Sequence, residues 1–279
     1  MRMSRLALAG VPLALCIAGP SFAQEADDTY DGPYVAVSGG YDFQTNDLGS
    51  RLNFDRNGDA NFNEPVLTSG GANAFTPGFC SGRATSTANN GCENDRDRES
   101  YYVRAGYDRQ MFGPVVVGAL AEFGQTNIKD YVSGFSTTPA SYTMERGVDW
   151  EASGRLRLGY NPGGGLFYVT GGVGYARLKH RFTTSNTANS FSTLLDDRDK
   201  FGFILGGGAE VKVAKRFTVG VEYSYHDYKD GQYLVRVTQG TAPATNPFVL
   251  APYPAGTTIA RSDDNFRWMS IRAVVGFHF

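Results

Sequence analysis

The chain has no apolar stretch approaching the ~18 residues that a transmembrane helix needs. This excludes a helical span but not a membrane, since a barrel strand crosses with about 10 residues and shows only alternate ones to lipid. A mean hydropathy of −0.31 fits either case. A basic excess is also missing. Lys and Arg number 26 against 28 Asp and Glu, a formal charge of −2, whereas a nucleic-acid binder carries a positive excess. Cysteine and histidine are scarce at three each. Glycine runs exist, Gly171-Gly172 and Gly206-Gly207-Gly208, but they sit inside strand patterns and open no helix, so they cradle no phosphate. No cofactor is expected.

What the chain has in quantity is glycine and aromatic side chains, 35 Gly and 13% Phe, Trp and Tyr, above ordinary glycine usage of ~7%. Its dominant periodicity is two, not 3.6. Eight segments alternate between an apolar face and a small, polar or charged face: 33–43, 100–108, 115–126, 150–160, 167–177, 201–211, 217–227 and 267–279. In the fourth, Trp150, Ala152, Gly154, Leu156, Leu158 and Tyr160 alternate with Glu151, Ser153, Arg155, Arg157 and Gly159. Connections alternate too. Long polar ones cover 44–99, 127–147, 179–199 and 229–264, and short turns lie at 111–114, 161–165 and 214–216. This rhythm predicts an all-β, transmembrane, antiparallel up-and-down barrel of eight strands over 24–279, with long external loops and short periplasmic turns. Ten strands is the alternative. The first connection is very long for an irregular loop, and Leu234 to Val237 alternates inside the last. Either stretch can form a hairpin extension above the membrane.

The N-terminal stretch reads as a signal peptide over 1–23. Arg2 and Arg5 precede an apolar run from Leu6 to Ile17, and Ser21-Phe22-Ala23 offers a cleavage site. Its loss takes the formal charge to −4. Cys16 follows Leu15 where lipid attachment needs a small residue, so it reads as part of the apolar run. Cys80 and Cys92 then remain, in one loop-like segment of an exported chain, and are expected to form a disulfide. With no histidine nearby they make a weak metal site.

Tyr34-Val35-Ala36-Val37-Ser38-Gly39-Gly40-Tyr41 resembles the opening strand of the small opacity-type outer-membrane proteins, which include surface proteins of alphaproteobacteria. Gly206 to Val211 and Val219 to Tyr223 resemble their glycine-then-glutamate strands, and Val274 to Phe279 is similar to their closing strand. The resemblance covers the eight strand segments and no loop. It implies a location in the cell outer membrane and roles in envelope integrity, adhesion or surface interaction, with no enzymatic residue set. It also implies that Phe279 is the terminal signal read by the barrel-insertion machinery.

The inward register holds Arg104, Glu122, Glu151, Arg155, Arg157, Glu210, Glu222 and Arg272. The interior of an eight-stranded barrel is just wide enough to be filled by side chains, so these charges must pair. The expectation is a salt-bridged core without a continuous pore, with a narrow polar channel as the alternative. Outward aromatics form two candidate girdles. Tyr41, Tyr101, Phe123, Trp150, Tyr175, Tyr223 and Tyr225 lie toward the loop ends, and Tyr107, Tyr160, Phe167, Phe217, Phe277 and Phe279 toward the turn ends. Arg177 and Arg267 lie beyond the upper girdle, where they can meet lipopolysaccharide phosphates or simply face solvent. Glu222, Ser224 and His226 share one face and invite a lipid-hydrolase reading. Barrels that deacylate lipid A carry a His-x-Ser order, which is absent, and residues i and i+2 of a strand stand ~7 Å apart, beyond direct hydrogen bonding without reorientation. The expected role is therefore structural and surface-interacting: outer-membrane lipid surrounds the wall, and a host or cell-surface ligand meets the loops.

Overall fold

The computed structural model describes residues 29–44, 49–231 and 233–279. The expected signal peptide lies outside them. Eight antiparallel strands form the wall: β1 (Gly32–Phe43), β2 (Arg98–Met111), β3 (Val115–Thr126), β4 (Ala140–Tyr160), β5 (Gly165–Thr184), β6 (Asp199–Ala214), β7 (Phe217–Lys229) and β8 (Asn265–His278). Each pairs with its sequence neighbours, and β8 pairs back onto β1 through Tyr34↔His278 to Phe43↔Met269, which closes the barrel. Closure leaves no strand edge in the wall. The eight expected segments are the eight wall strands, in the expected register.

The turns between β2 and β3, β4 and β5, and β6 and β7 are tight. At the first, three residues, Phe112, Gly113 and Pro114, join Met111 to its cross-strand partner Val115, and Phe112 and Gly113 both have positive φ, 51° and 76°, a conformation glycine adopts without steric cost.

The long connections are folded, which alternation in the sequence did not reveal. β4 and β5 run well past the barrel. Their extensions pair with each other, Tyr142 to Val148 against Leu178 to Thr184, and the strand Lys129–Ser136 adds to β4 with Gly78–Ser81 outside it. A second sheet faces this one, ordered Ser190–Asp196, Tyr233–Thr238, Thr257–Arg261, Leu52–Asp55. All four long connections therefore contribute strands to one sandwich-like cap. Its apolar core includes Leu52, Phe54, Val132, Met144, Val235 and Ile259, with Phe54 and Phe75 at 4.5 Å between ring centroids. The Leu234 to Val237 alternation belongs to this cap, so the barrel has eight strands and not ten.

A β-bulge lies between Arg177 and Leu178, where Trp150 and then Val148 are the successive partners on β4. Asp149 is the extra residue. Below it the odd residue Glu151 faces inward; above it the even residues Val148, Arg146, Met144 and Tyr142 are buried. The phase change explains why 140–147 read as loop. Cys80 and Cys92 are joined in a disulfide with 6.4 Å between Cα atoms. It ties the outermost cap strand to the short hairpin of Arg83–Ala84 and Cys92–Glu93.

Candidate functional site

Polarity in the wall is inverted relative to a water-soluble protein. Val37, Val103, Leu156, Val173 and Phe203 are exposed on the outside, while Arg104, Glu122, Arg155 and Arg157 are buried within. A contiguous exposed apolar band marks a membrane surface. Phe123, Trp150, Tyr175 and Phe201 form a chain of ring contacts around its upper part, 5.8, 5.4 and 4.9 Å apart. Phe217, Phe277 and Phe279 cluster at the turn end. Small residues Ala105, Ala121, Ala152 and Gly154 leave an apolar hollow of about 980 Å³ on the outer wall.

The lumen is a layered ionic core. Nearest the turns, Arg157 bridges Asp108 at 2.8 Å and Glu210 at 2.6 Å, and its guanidinium lies 3.8 Å over the Tyr168 ring. At mid-height Arg104 binds Glu122 at 2.6 Å and Glu222 at 2.7 Å. Arg155 contacts the same two carboxylates at 3.0 and 3.1 Å. Higher up, Arg272 reaches Glu122 at 3.3 Å and Asp42 at 3.6 Å and stacks 3.8 Å over Tyr102. Glu151 accepts hydrogen bonds from the Tyr102 hydroxyl at 2.7 Å, the Tyr228 hydroxyl at 2.5 Å and His226 Nδ1 at 2.8 Å. The structure therefore brings Arg104, Glu122, Arg155, Glu222 and Arg272 into one network, with Arg157 and Glu210 in a layer below and Glu151 in one above. Asp42 and Asp108 complete it. Both extend the inward alternation toward strand ends and were missing from the sequence-derived set of charges.

Glycine makes room for the ring systems. A Cβ on Gly174 would stand 1.9 Å from the Tyr228 hydroxyl, and one on Gly106 would stand 2.5 Å from the Tyr34 ring.

Ser224 and His226 show the reorientation that contact between residues two apart on a strand requires. Ser224 Oγ lies 3.0 Å from His226 Nε2. The ring tilts along the strand because Glu151 holds Nδ1 and Trp268 stacks on it at 4.8 Å. The acid beside His226 is Glu151; Glu222 is engaged by the arginines. The trio has the connectivity of a nucleophile–base–acid relay. Yet Ser224, His226 and Glu151 are only 1%, 0% and 1% exposed, and Ser270 Oγ and Arg272 Nη2 also approach Nε2, at 3.4 Å each. Ser224 is thus enclosed within the lumen together with its neighbours.

Above the ionic layers, Ile128, Val148, Leu178, Tyr228, Phe266 and Trp268 form an apolar plug. A second charge cluster joins this plug to the cap. Arg146 Nε binds Asp130 at 2.5 Å and Arg261 binds the same carboxylate at 2.7 Å. Burial alone would raise the Asp130 carboxyl, but the two guanidiniums outweigh it and hold it below its ordinary value. His180 bridges Asp196 at 2.7 Å and Asp230 at 3.1 Å.

Of the two rim arginines, Arg267 is ion-paired with Asp227 at 3.0 Å and Arg177 is exposed beside Trp150.

A closed antiparallel wall with an apolar exterior and an ionic interior defines an outer-membrane β-barrel. The chain belongs to the outer membrane protein beta-barrel domain family, which matches residues 9–279. It is 33% identical over 126 residues to the 31 kDa outer-membrane immunogenic protein of Brucella melitensis, covering 45% of this chain and 52% of that protein. It is 29% identical over 141 residues to the 22 kDa outer membrane protein of Rhizobium leguminosarum bv. viciae, covering 49% and 58%. The chain spans about half the length of these curated relatives. Among solved structures, OprG of Pseudomonas aeruginosa aligns over 90% of this chain and 99% of its own, at 13% identity and a TM-score of 0.49. Neisserial surface protein A aligns over 89% and 97%, at 9% identity and 0.37. The chain is thus an outer-membrane protein of the kind the alphaproteobacterial resemblance implied.

Proposed function

We propose that this chain is a non-catalytic, non-conducting outer-membrane anchor that displays a folded cap for surface interaction, with a contribution to envelope integrity. One observation carries the reading: the lumen is filled by buried, mutually paired charges, while all four long connections build a single packed cap. A channel needs solvated polar atoms along its bore, and the lumen arginines and carboxylates are almost wholly desolvated. A hydrolase needs an accessible nucleophile, and Ser224 is enclosed.

In this reading the cap and long connections are external, and the turns and both termini are periplasmic, as an even strand count requires. Acyl chains fill the hollow beside Ala105 and Ala121, and Arg177 meets lipopolysaccharide phosphate at the rim. The insertion machinery reads Phe279 during assembly.

The test pairs two measurements on one protein. Refolded into a planar bilayer, it should give no steady conductance; reproducible ohmic steps would support the narrow-channel reading instead. Cells lacking it should attach less well to host or abiotic surfaces, and re-expression should restore attachment. Unchanged attachment would overturn the surface-interaction role.

A further inference from the structure

β5 carries one unbroken outward alternation from the membrane into the cap. Val169 and Val173 are exposed to lipid, and Tyr175 lies in the upper chain of aromatic rings. Arg177, Lys179 and Arg181 follow on the same face, all exposed. The bulge at Asp149 shifts the alternation on β4 and leaves that of β5 intact. At two residues per step the three cations form a column about 13 Å long, directly above the headgroup level where interfacial rings settle. β4 and β5 are the longest wall strands, at 21 and 20 residues, so here the lipid-facing surface continues upward as a strand face.

The column ends at a surface hollow of about 380 Å³. Arg83 and Arg181 stand in its lining with Ser141, Thr143, Thr183 and Thr184. Carboxylates nearby are engaged by other cations: Glu145 by Lys129, and Glu93 by Arg83 at 2.6 Å. Asp149 pairs with Lys179 of the column at 2.6 Å. Asp199 lies across the sheet from Arg177 without an ion pair to it. Among the described residues, Arg177 and Arg181 have no ion-pair partner.

We infer that the column and the hollow above it hold the anionic inner-core sugars of one lipopolysaccharide molecule from the surrounding leaflet. The inference deepens the rim contact assigned to Arg177 and rests on the reading that the cap is external. Position selects the leaflet's own lipid over a ligand from outside, because the cations begin at the membrane rim and continue the acyl-facing surface of the same strand. Chemistry selects the anionic sugar. Guanidiniums fork onto phosphate and carboxylate oxygens. Serine and threonine hydroxyls donate and accept, as the hydroxyls of a sugar require. An exposed pair such as Lys179 with Asp149 is held weakly, so the ammonium is free to turn toward a ligand anion.

The experiment uses the full-length protein in phosphatidylcholine nanodiscs and two probes. One is lipid A alone; the other is rough-type lipopolysaccharide, which adds the anionic inner core to it. The core-bearing probe is expected to bind about tenfold or more tightly, the scale of one charged hydrogen bond. Raising the salt should narrow the difference. Lys179→Gln with Arg181→Gln should remove the difference and leave lipid A binding unchanged. Arg216→Gln, on the turn between β6 and β7 at the other end of the barrel, should alter neither. All these side chains are exposed, so heat-modifiable gel migration should be the same for every variant. Equal affinity for the two probes, or a difference that survives the double substitution, would overturn the inference. So would tighter binding of heparin than of the core-bearing probe, which would assign the face to a polyanion from outside. If the core adds nothing while Arg177→Gln weakens lipid A binding, the rim contact stands and only the column fails. If protease added to intact cells never cuts the cap, the external reading fails with it.

Discussion

Replacing Arg104 by glutamine would leave Glu122 and Glu222 short of the guanidinium that touches both, at 2.6 and 2.7 Å. Arg155 contacts the same carboxylates but cannot supply the lost charge. Removing one partner of a buried ion pair costs about 3–5 kcal/mol, because the other charge stays desolvated. Arg104→Gln is therefore expected to lower barrel stability by that amount, read as a lower urea midpoint in micelles. Loss of less than about 1 kcal/mol, the scale of an exposed pair, would mean the lumen is wetter than the structure indicates. That such charges face inward was legible in the sequence, because period two assigns every side chain of a strand to a face once one is assigned. The link from Ser224 to His226 was not. Spacing gives Cα positions, whereas the ring's tilt comes from Glu151 and Trp268, on two other strands. Asp42 and Asp108 were visible in the alternation but lie toward strand ends, where a face assignment carries less weight.

The cap was hidden for a reason that belongs to the element scale. Asp149 is bulged out of β4, so the buried face passes from odd to even residues and the alternation appears to stop. Neighbouring strands such as Leu52–Asp55 and Thr257–Arg261 have four and five residues, too few to stand out from polar sequence. Two predictions apply to this element. Cys80 and Cys92 are 12 residues apart, and closing a loop of this size stabilises by about 3 kcal/mol, mainly by restricting the unfolded chain. Cys80→Ser with Cys92→Ser should speed proteolysis within the cap while the wall keeps its heat-modifiable gel migration. A wall that fails together with the cap would show that the two fold as one unit. The second prediction concerns acid. Asp130 is held below its ordinary value by Arg146 and Arg261, so its folded pKa lies under the unfolded ~3.9. Its contribution is then complete above the ordinary carboxylate range and disappears as pH falls through the depressed folded value. Near-ultraviolet dichroism of the cap aromatics should stay flat from neutral pH down to about 4 and change only below it. A transition near pH 6 would mean that Asp130 does not govern the junction.

At the scale of the whole molecule, the closing strand has two separable duties. In the finished barrel it is one wall strand among eight, held between β1 and β7 by long antiparallel ladders. Phe279 lies just past the end of β8 and adds little to that wall. Its amide donates to the Pro33 carbonyl at 3.1 Å, its ring meets Phe277 at 5.2 Å, and it is 65% exposed. A ring left this exposed to lipid, with one backbone bond, contributes on the order of 1 kcal/mol of net hydrogen bonding and modest packing. If Phe279 is read during insertion, its deletion should act on assembly rate and not on the product. Cells expressing the deletion are expected to accumulate less protein in the outer membrane, while the fraction that does assemble should match the intact chain in urea midpoint within about 1 kcal/mol. Normal surface levels would remove the signalling role. A large loss of stability in the assembled fraction would instead assign Phe279 to the wall itself, as the residue that holds β8 against β1 at the turn end.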